Sequence, residues 1–486
     1  MRLPVEKAEA KKVKPISNNQ KKKAIKAKKK LRKRQKRSDY QKKKKKVENL
    51  EIINPDAAGL DIGAFEIFTC VPEGRDKNRV RTFNTFTRSL EELADWLQDC
   101  SVKTVAMEST GVYWIPVFEI LENRGFQVNL VNARQIKNVP GKKTDVMDCQ
   151  WIQQLHSYGL LSASFRPEEQ MCALRSIVRQ REMLVTYRAF HIQHMQKNLE
   201  MMNLKLGSVI KDVTGVTGMK IIRAIVDGQR DPVKLAQFRD PRCFSSVDEI
   251  ALSLEGNYKS EHIFNLKQAL ELYDYYTQQI NVTDTEIEKN YSAFKSYKGK
   301  KELPELKKKR SKNVKNKPSF DLRSQLYRIC GIDLTKIDGI DVLTAQVVVS
   351  EIGFDMSKWP TVKHFTSWLG LCPCNKISGG KLLWRGSKKN KNRANLALRR
   401  ATRSLWKSDS ALGAFYRRMR AKHGPMKANL ATAHKLARII YHMLKNNTEY
   451  KDPGEQYYLE KYRNRVIKNI KRKAATLGFK VELIEA

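Results

Sequence analysis

Short apolar segments that stop on a carboxylate constrain this chain more than any other feature. Gly59-Leu60-Asp61-Ile62-Gly63 ends an apolar run on an acid, and Ala106-Met107-Glu108-Ser109-Thr110-Gly111 does the same. Asp145 and Asp148 follow in Lys143-Thr144-Asp145-Val146-Met147-Asp148, on an expected helix where a spacing of three puts both carboxylates on one face. Acids at the ends of buried strands pack poorly, and several in one pocket repel each other unless cations neutralise them. Oxygen ligands of this kind suit Mg²⁺ or Mn²⁺, and a pair of such ions can clamp the attacking and leaving oxygens of a phosphodiester. Each acid taken singly reads more simply as a surface residue at a loop start. The order strand–Asp, strand–Glu, helix with Asp-x-x-Asp is the specific signal.

The surrounding pattern is mixed α/β from Asn54 to about Arg166. Ala57 to Ile62 and Phe65 to Val71 predict two strands turning at Gly63, and Val80 to Phe86 a third. Ser89 is expected to cap a helix through Leu97, with Glu91 and Glu92 in its first turn. Thr104 to Met107 and Phe126 to Val131 predict buried strands, Val112 to Asn123 an amphipathic helix, and Thr144 to Tyr158 another helix ended by Gly159.

Pro167-Glu168-Glu169 opens a long helical stretch reaching about Lys205, on the order of 58 Å at 1.5 Å per residue. Ile192, Met195, Leu199 and Met202 form a coiled-coil-like seam. It fits dimerisation or an intramolecular helix pair equally well. Residues 210–290 read as helical with breaks at Gly215, Gly218 and Gly228, and residues 295–317 as a basic linker holding 11 Lys+Arg against 2 Glu.

Charge narrows the partner. The 486 residues carry 94 Lys+Arg against 51 Asp+Glu, a formal net charge of +43, which argues against chemistry on neutral metabolites and for a polyanion, nucleic acid first. Residues 1–47 alone hold 22 Lys+Arg and 3 acids and are expected to be a disordered arm that runs along a phosphate backbone. No apolar run approaches the roughly 18 residues that cross a bilayer, so no membrane partner is expected and a cytoplasmic protein is. The eight cysteines are scattered without paired knuckles and read as reduced thiols, Cys372-Pro-Cys374 being the nearest approach to a metal motif.

The last third begins near Leu322. Ile337-Asp338-Gly339-Ile340 followed by Leu343 to Ile352 resembles a helix–hairpin–helix unit, whose glycine turn can offer backbone N–H groups to a phosphate or simply pack in a core. Further on, Trp368-Leu369-Gly370-Leu371-Cys372-Pro373 leads to Ile377-Ser378-Gly379-Gly380-Lys381. Ser378 stands in a glycine-rich turn among Lys376, Lys381 and Arg385, with exposure and positive charge suited to attack on phosphorus. On that chemistry alone Ser-Gly-Gly is a common loop, and Ser387 competes.

Together, Gly59 to Gly63, Met107 to Trp114, Val131-Asn132-Ala133-Arg134 and Lys143 to Asp148 resemble the ribonuclease-H-like fold of junction resolvases and, more closely, the DEDD transposases of the insertion sequence 110 family. The resemblance covers residues 54 to about 166, resumes in the last third through Tyr416 to Met419, His423 to Lys427 and Ala431 to Leu436, and is mainly helical between. The basic arm and the insert near 295–317 are longer than the family pattern requires.

Sequence pattern, charge and the resemblance together predict an N-terminal ribonuclease-H-like domain over 48–166, a helical or coiled-coil region over 167–294, a linker over 295–320, a transposase domain over 321–450 and a basic tail over 451–486. The resemblance implies Asp61, Glu108, Asp145 and Asp148 as ligands of Mg²⁺ (or Mn²⁺) and Ser378 as the nucleophile that links to DNA. Its implied partners are double-stranded DNA, a structured guide RNA, and further copies of the chain as a dimer or tetramer. Arg175, Arg179, Arg181, Arg188, Lys381, Arg385, Lys388 and Lys389 are the expected nucleic-acid contacts. Two other readings stand beside it: a metal-dependent nuclease or junction resolvase that uses water in place of Ser378, and a non-catalytic nucleic-acid-binding protein.

Overall fold

The computed structural model describes residues 51–136, 144–297, 299, 302–304, 316–384, 386 and 392–482. The expected basic arm and most of the expected basic linker lie outside these residues, as do Arg385, Lys388 and Lys389. The chain forms two compact units, one up to Phe165 and one from Arg166.

The first unit is built on a five-stranded sheet. Strands β1 (Ala57–Ile62), β2 (Glu66–Cys70), β3 (Val80–Asn84), β4 (Thr104–Glu108) and β5 (Gln127–Val131) lie in the order β3-β2-β1-β4-β5. The first three form an antiparallel meander, whereas β1–β4 and β4–β5 are parallel. Parallel pairs need crossovers, and helices α1 (Thr87–Asp99) and α2 (Trp114–Asn123) supply them. Ala58, Leu60, Val105 and Met107 bury one face of the sheet with Leu90, Leu93 and Leu97 of α1 and Val117 and Leu121 of α2. Ala106 and Val131 face the other way and pack with Ile152 of α3 (Asp145–Ser157). This is the ribonuclease-H-like arrangement: a mixed sheet with helices on both faces.

The expected strands recur within a few residues, but the cap of α1 does not. Ser89 is a buried residue inside the helix, which starts two residues earlier behind Phe86. The Asn84 side chain accepts from the Phe86 backbone N–H at 3.0 Å, so the turn off β3 is closed upstream and needs no serine.

The second unit is mostly helical. Helix α4 (Glu169–Met201) has 33 residues and so is about 50 Å long, shorter than expected because Asn203, at φ +57°, turns the chain back. It pairs with α6 (Ser260–Ala293). Met195, Leu199 and Met202 of the seam are buried with Ile221, Ile222 and Ile225 of α5 (Val216–Val226) and Leu266 and Leu270 of α6. The seam is filled by its own chain. Gly218 is no break either: it lies within α5, where a Cβ would meet the Val213 carbonyl oxygen at 2.2 Å.

Helices α7 (Leu322–Cys330) and α8 (Val342–Ile352) flank the turn at Gly339, whose φ is +86°. A Cβ there would lie 3.0 Å from the Ala401 carbonyl oxygen, at the end of α9 (Arg393–Ala401), so this glycine serves close packing. Strands β6 (Lys376–Ser378) and β7 (Lys381–Trp384) form a hairpin. Helices α10 (Ala411–His423), α11 (Pro425–Asn446) and α12 (Glu455–Thr476) close the fold. Among the described residues no helix is long and apolar enough to cross a membrane.

Candidate active site

The acid site is assembled by the packing of α3 on β1. Gly59 has no side chain on the face that α3 covers, and an added Cβ would fall 2.2 Å from the Gln153 nitrogen and 2.6 Å from the Cys149 carbonyl oxygen. Backbone therefore lies on backbone. The Gln153 amide donates to the Ala57 carbonyl at 3.1 Å, which fixes the register. The helix thus runs antiparallel to β1, its late residues over Ala57 and Gly59 and its first turn over Asp61. Strand alternation carries Asp61 to the same face as Gly59.

Thr144 caps α3, its hydroxyl accepting from the Met147 N–H at 3.3 Å, and Asp145 and Asp148 occupy the first turn. The positive end of the helix dipole favours acids there. One carboxylate oxygen from each of Asp61, Asp145 and Asp148 lies within 4.8 Å of the others, with Asp145 exposed and the other two half-buried. Glu108 stands outside this trio. It is one position beyond Met107, which pairs with Leu60 of β1, so it ends the neighbouring strand at the same edge of the sheet. Its carboxylate accepts from the Thr110 hydroxyl at 3.0 Å.

The far end of α3 is held by a different device. His156 is buried, its Nε2 2.9 Å from Thr104 Oγ1 and 3.4 Å from Asn129 Nδ2. Burial pushes the imidazole down to about 4. Arg79 adds a bond to the Gln153 side chain at 2.9 Å, tying the helix to the start of β3.

Ser378 belongs to the second unit. Gly379 and Gly380, at φ +54° and +72°, form a two-residue turn that requires left-handed backbone at both positions. Ser378 is therefore the last residue of β6, exposed, and directly opposite Lys381. Its exposure follows from turn chemistry legible in the sequence.

The expected arginine contacts fall differently. Arg175 donates to the Ser350 and Glu351 carbonyls at 3.1 and 2.9 Å, and Arg179 forms a two-pronged ion pair with Glu351 at 2.8 Å. Arg181 is buried against Asp284 and donates to the Asn316 carbonyl at 3.0 Å. Arg188 reaches the Asn316 side chain at 2.6 Å. These guanidiniums brace α4 against α6 and α8, because a long helix in a close bundle meets carboxylates and carbonyl ends before it meets solvent. Lys381 is exposed. The sequence signal for the contact between β1 and α3 is Gly59 itself, since a glycine inside an apolar strand marks a close backbone approach.

The sheet order and the crossing helix are those of a ribonuclease-H-like domain, and the trio gives it an acidic group that could hold a metal ion. Residues 58–203 match the DEDD transposase family of IS110, and residues 333–417 match the transposase IS116/IS110/IS902 family. The two matches support an IS110-family transposase, an enzyme that acts on DNA. No curated protein matches it.

Proposed function

We propose that this transposase cuts and rejoins DNA strands by transesterification through Ser378, with Asp61, Glu108, Asp145 and Asp148 as the ligands of Mg²⁺ (or Mn²⁺). The observation that carries the reading is the trio: carboxylate oxygens of Asp61, Asp145 and Asp148 within 4.8 Å of one another, a donor set that fits a hard divalent ion. Bound there, the ion supplies Lewis-acid polarisation of the scissile phosphate. The chain's own residues do the rest. β1 and α3 fix the acids by backbone contact at Gly59, and the hairpin presents the Ser378 hydroxyl without cover. The serine oxygen bonds to phosphorus as a strand oxygen leaves; the serine proton passes to solvent and the leaving oxygen takes one up. The phosphoserine diester keeps the bond energy until another strand hydroxyl displaces Ser378.

The proposed functional division follows the sequence: acids within 48–166, helices over 167–294, a basic linker over 295–320, the serine within 321–450 and a basic end over 451–486. The net charge of +43 supports a nucleic-acid partner, the family resemblance implies double-stranded DNA together with a structured guide RNA, and strand exchange, which needs several cuts, calls for a dimer or tetramer on DNA.

The test is to trap covalent protein–DNA adducts on denaturing gels, for wild type and Ser378→Ala, with and without Mg²⁺ and with and without ribonuclease. An adduct formed only by wild type with metal and intact RNA is the expected result. Cutting and joining by Ser378→Ala would instead establish the water-using nuclease or resolvase.

A further inference from the structure

Helix α12 lies beyond both family-matched segments, and none of its residues is buried. It is nonetheless held in place. The Arg418 guanidinium of α10 lies 4.4 Å from the Tyr462 ring centroid and 5.8 Å from that of Tyr458, and its Nε donates to the Tyr458 hydroxyl at 2.6 Å. Lys435 of α11 sits 5.3 Å from the Tyr458 ring, and Arg417 pairs with Glu455 at 2.7 Å. The connection is fixed as well, the Glu455 N–H donating to the Asp409 carbonyl and the Asp452 carboxylate accepting from the Ala411 N–H. The helix is a docked element, and one side of it carries the fastening.

A regular charge runs beside the fastened side, with Lys461 5.4 Å from the Tyr457 ring centroid and Arg465 5.5 Å from that of Tyr462. The helix contains 7 Lys+Arg and 2 Glu, and one of those acids, Glu455, is used in the fastening. Lys461, Arg465, Lys468 and Arg472 follow at i, i+4, i+7 and i+11, all exposed, so they form one stripe. At 1.5 Å per residue the stripe is about 16 Å long. Duplex DNA offers one phosphate per strand every ~3.4 Å of its axis, so four cations at this pitch match the phosphates of one strand over a comparable length.

We infer that α12 is a docking rail for the phosphate backbone of duplex DNA, gripping it through Lys461, Arg465, Lys468 and Arg472. Duplex DNA is the occupant because the chain is a DNA-acting transposase and the stripe complements its charge. Contacts of this kind carry no base recognition. The rail adds affinity for any sequence, and its use does not depend on Ser378.

The experiment measures binding of the full chain to a short duplex of arbitrary sequence by fluorescence anisotropy across a salt series. It compares wild type, K461Q/R465Q/K468Q/R472Q, and the charge-keeping K461R/R465K/K468R/R472K. The neutral variant is expected to bind about 10-fold or more weaker at moderate salt, with the log–log salt slope reduced by about 3 to 4. The charge-keeping variant is expected to match wild type. Because all four side chains are exposed, circular dichroism and thermal melting serve to verify an unchanged fold. Wild-type affinity and slope in the folded neutral variant would overturn the rail, as would a loss confined to duplex RNA with DNA binding intact.

Discussion

Asp145 and Asp148 place two like charges near a third, Asp61, and that repulsion is the energetic signature of the site. Nothing in the apolar packing of β1 or α3 requires acids there. A cation that binds only the folded trio stabilises the fold by about 2.7 kcal/mol at a hundred times its dissociation constant. Mg²⁺ is therefore expected to raise the melting temperature of wild type in scanning calorimetry. Asp148→Asn should lose that response, because it removes one of the three ligands. An equal Mg²⁺ response in wild type and Asp148→Asn would remove the trio as the binding site. Asp61, Asp145 and Asp148 were legible in the sequence through their order, an acid closing a strand and then Asp-x-x-Asp opening a helix, and not through any one of them alone. Glu108 was expected by the same reasoning; it ends the strand next to β1 but stands outside the 4.8 Å group.

At the scale of the element, α3 is held at two points: by a bare glycine under its middle and by a buried imidazole at its last turn. His156 has an ordinary value of 6.5 that burial lowers to about 4. Its folded value is the lower one, so as pH falls the unfolded chain takes up the proton first. The contribution is intact above pH 6.5, is lost progressively between 6.5 and about 4, and is constant below. The full loss is about 3 kcal/mol. Urea midpoints measured across that window are expected to fall for wild type and to flatten for His156→Gln, and parallel curves would refute the assignment. Most strands of this unit could be read from apolar segments bounded by turns. Contacts between distant elements could not. Ser89 looks like a cap until Asn84 is seen closing the turn upstream, and the seam of Met195, Leu199 and Met202 looks the same whether a second chain or α5 and α6 fill it. Arg181 reads as a surface cation until Asp284, about a hundred residues away, is found beneath it.

Across the whole molecule, positive charge is a resource divided between structure and surface. Arg175, Arg181 and Arg418 are used in holding helices together, while the stripe on α12 stays exposed at the surface. The proposed dimer or tetramer is tested by light scattering on the DNA-bound protein, where a mass of two or four chains is expected and a persistent monomer would contradict strand exchange. The trio also has a consequence for how the protein is made. Its members come from β1 and from α3, the first and the last of the elements that complete the sheet unit. A chain still on the ribosome that has not yet reached Asp145 has only one of the three acids, and one that has not extended through Ser157 lacks the complete helix that seats the other two, so the acidic group is assembled only after both elements have been made.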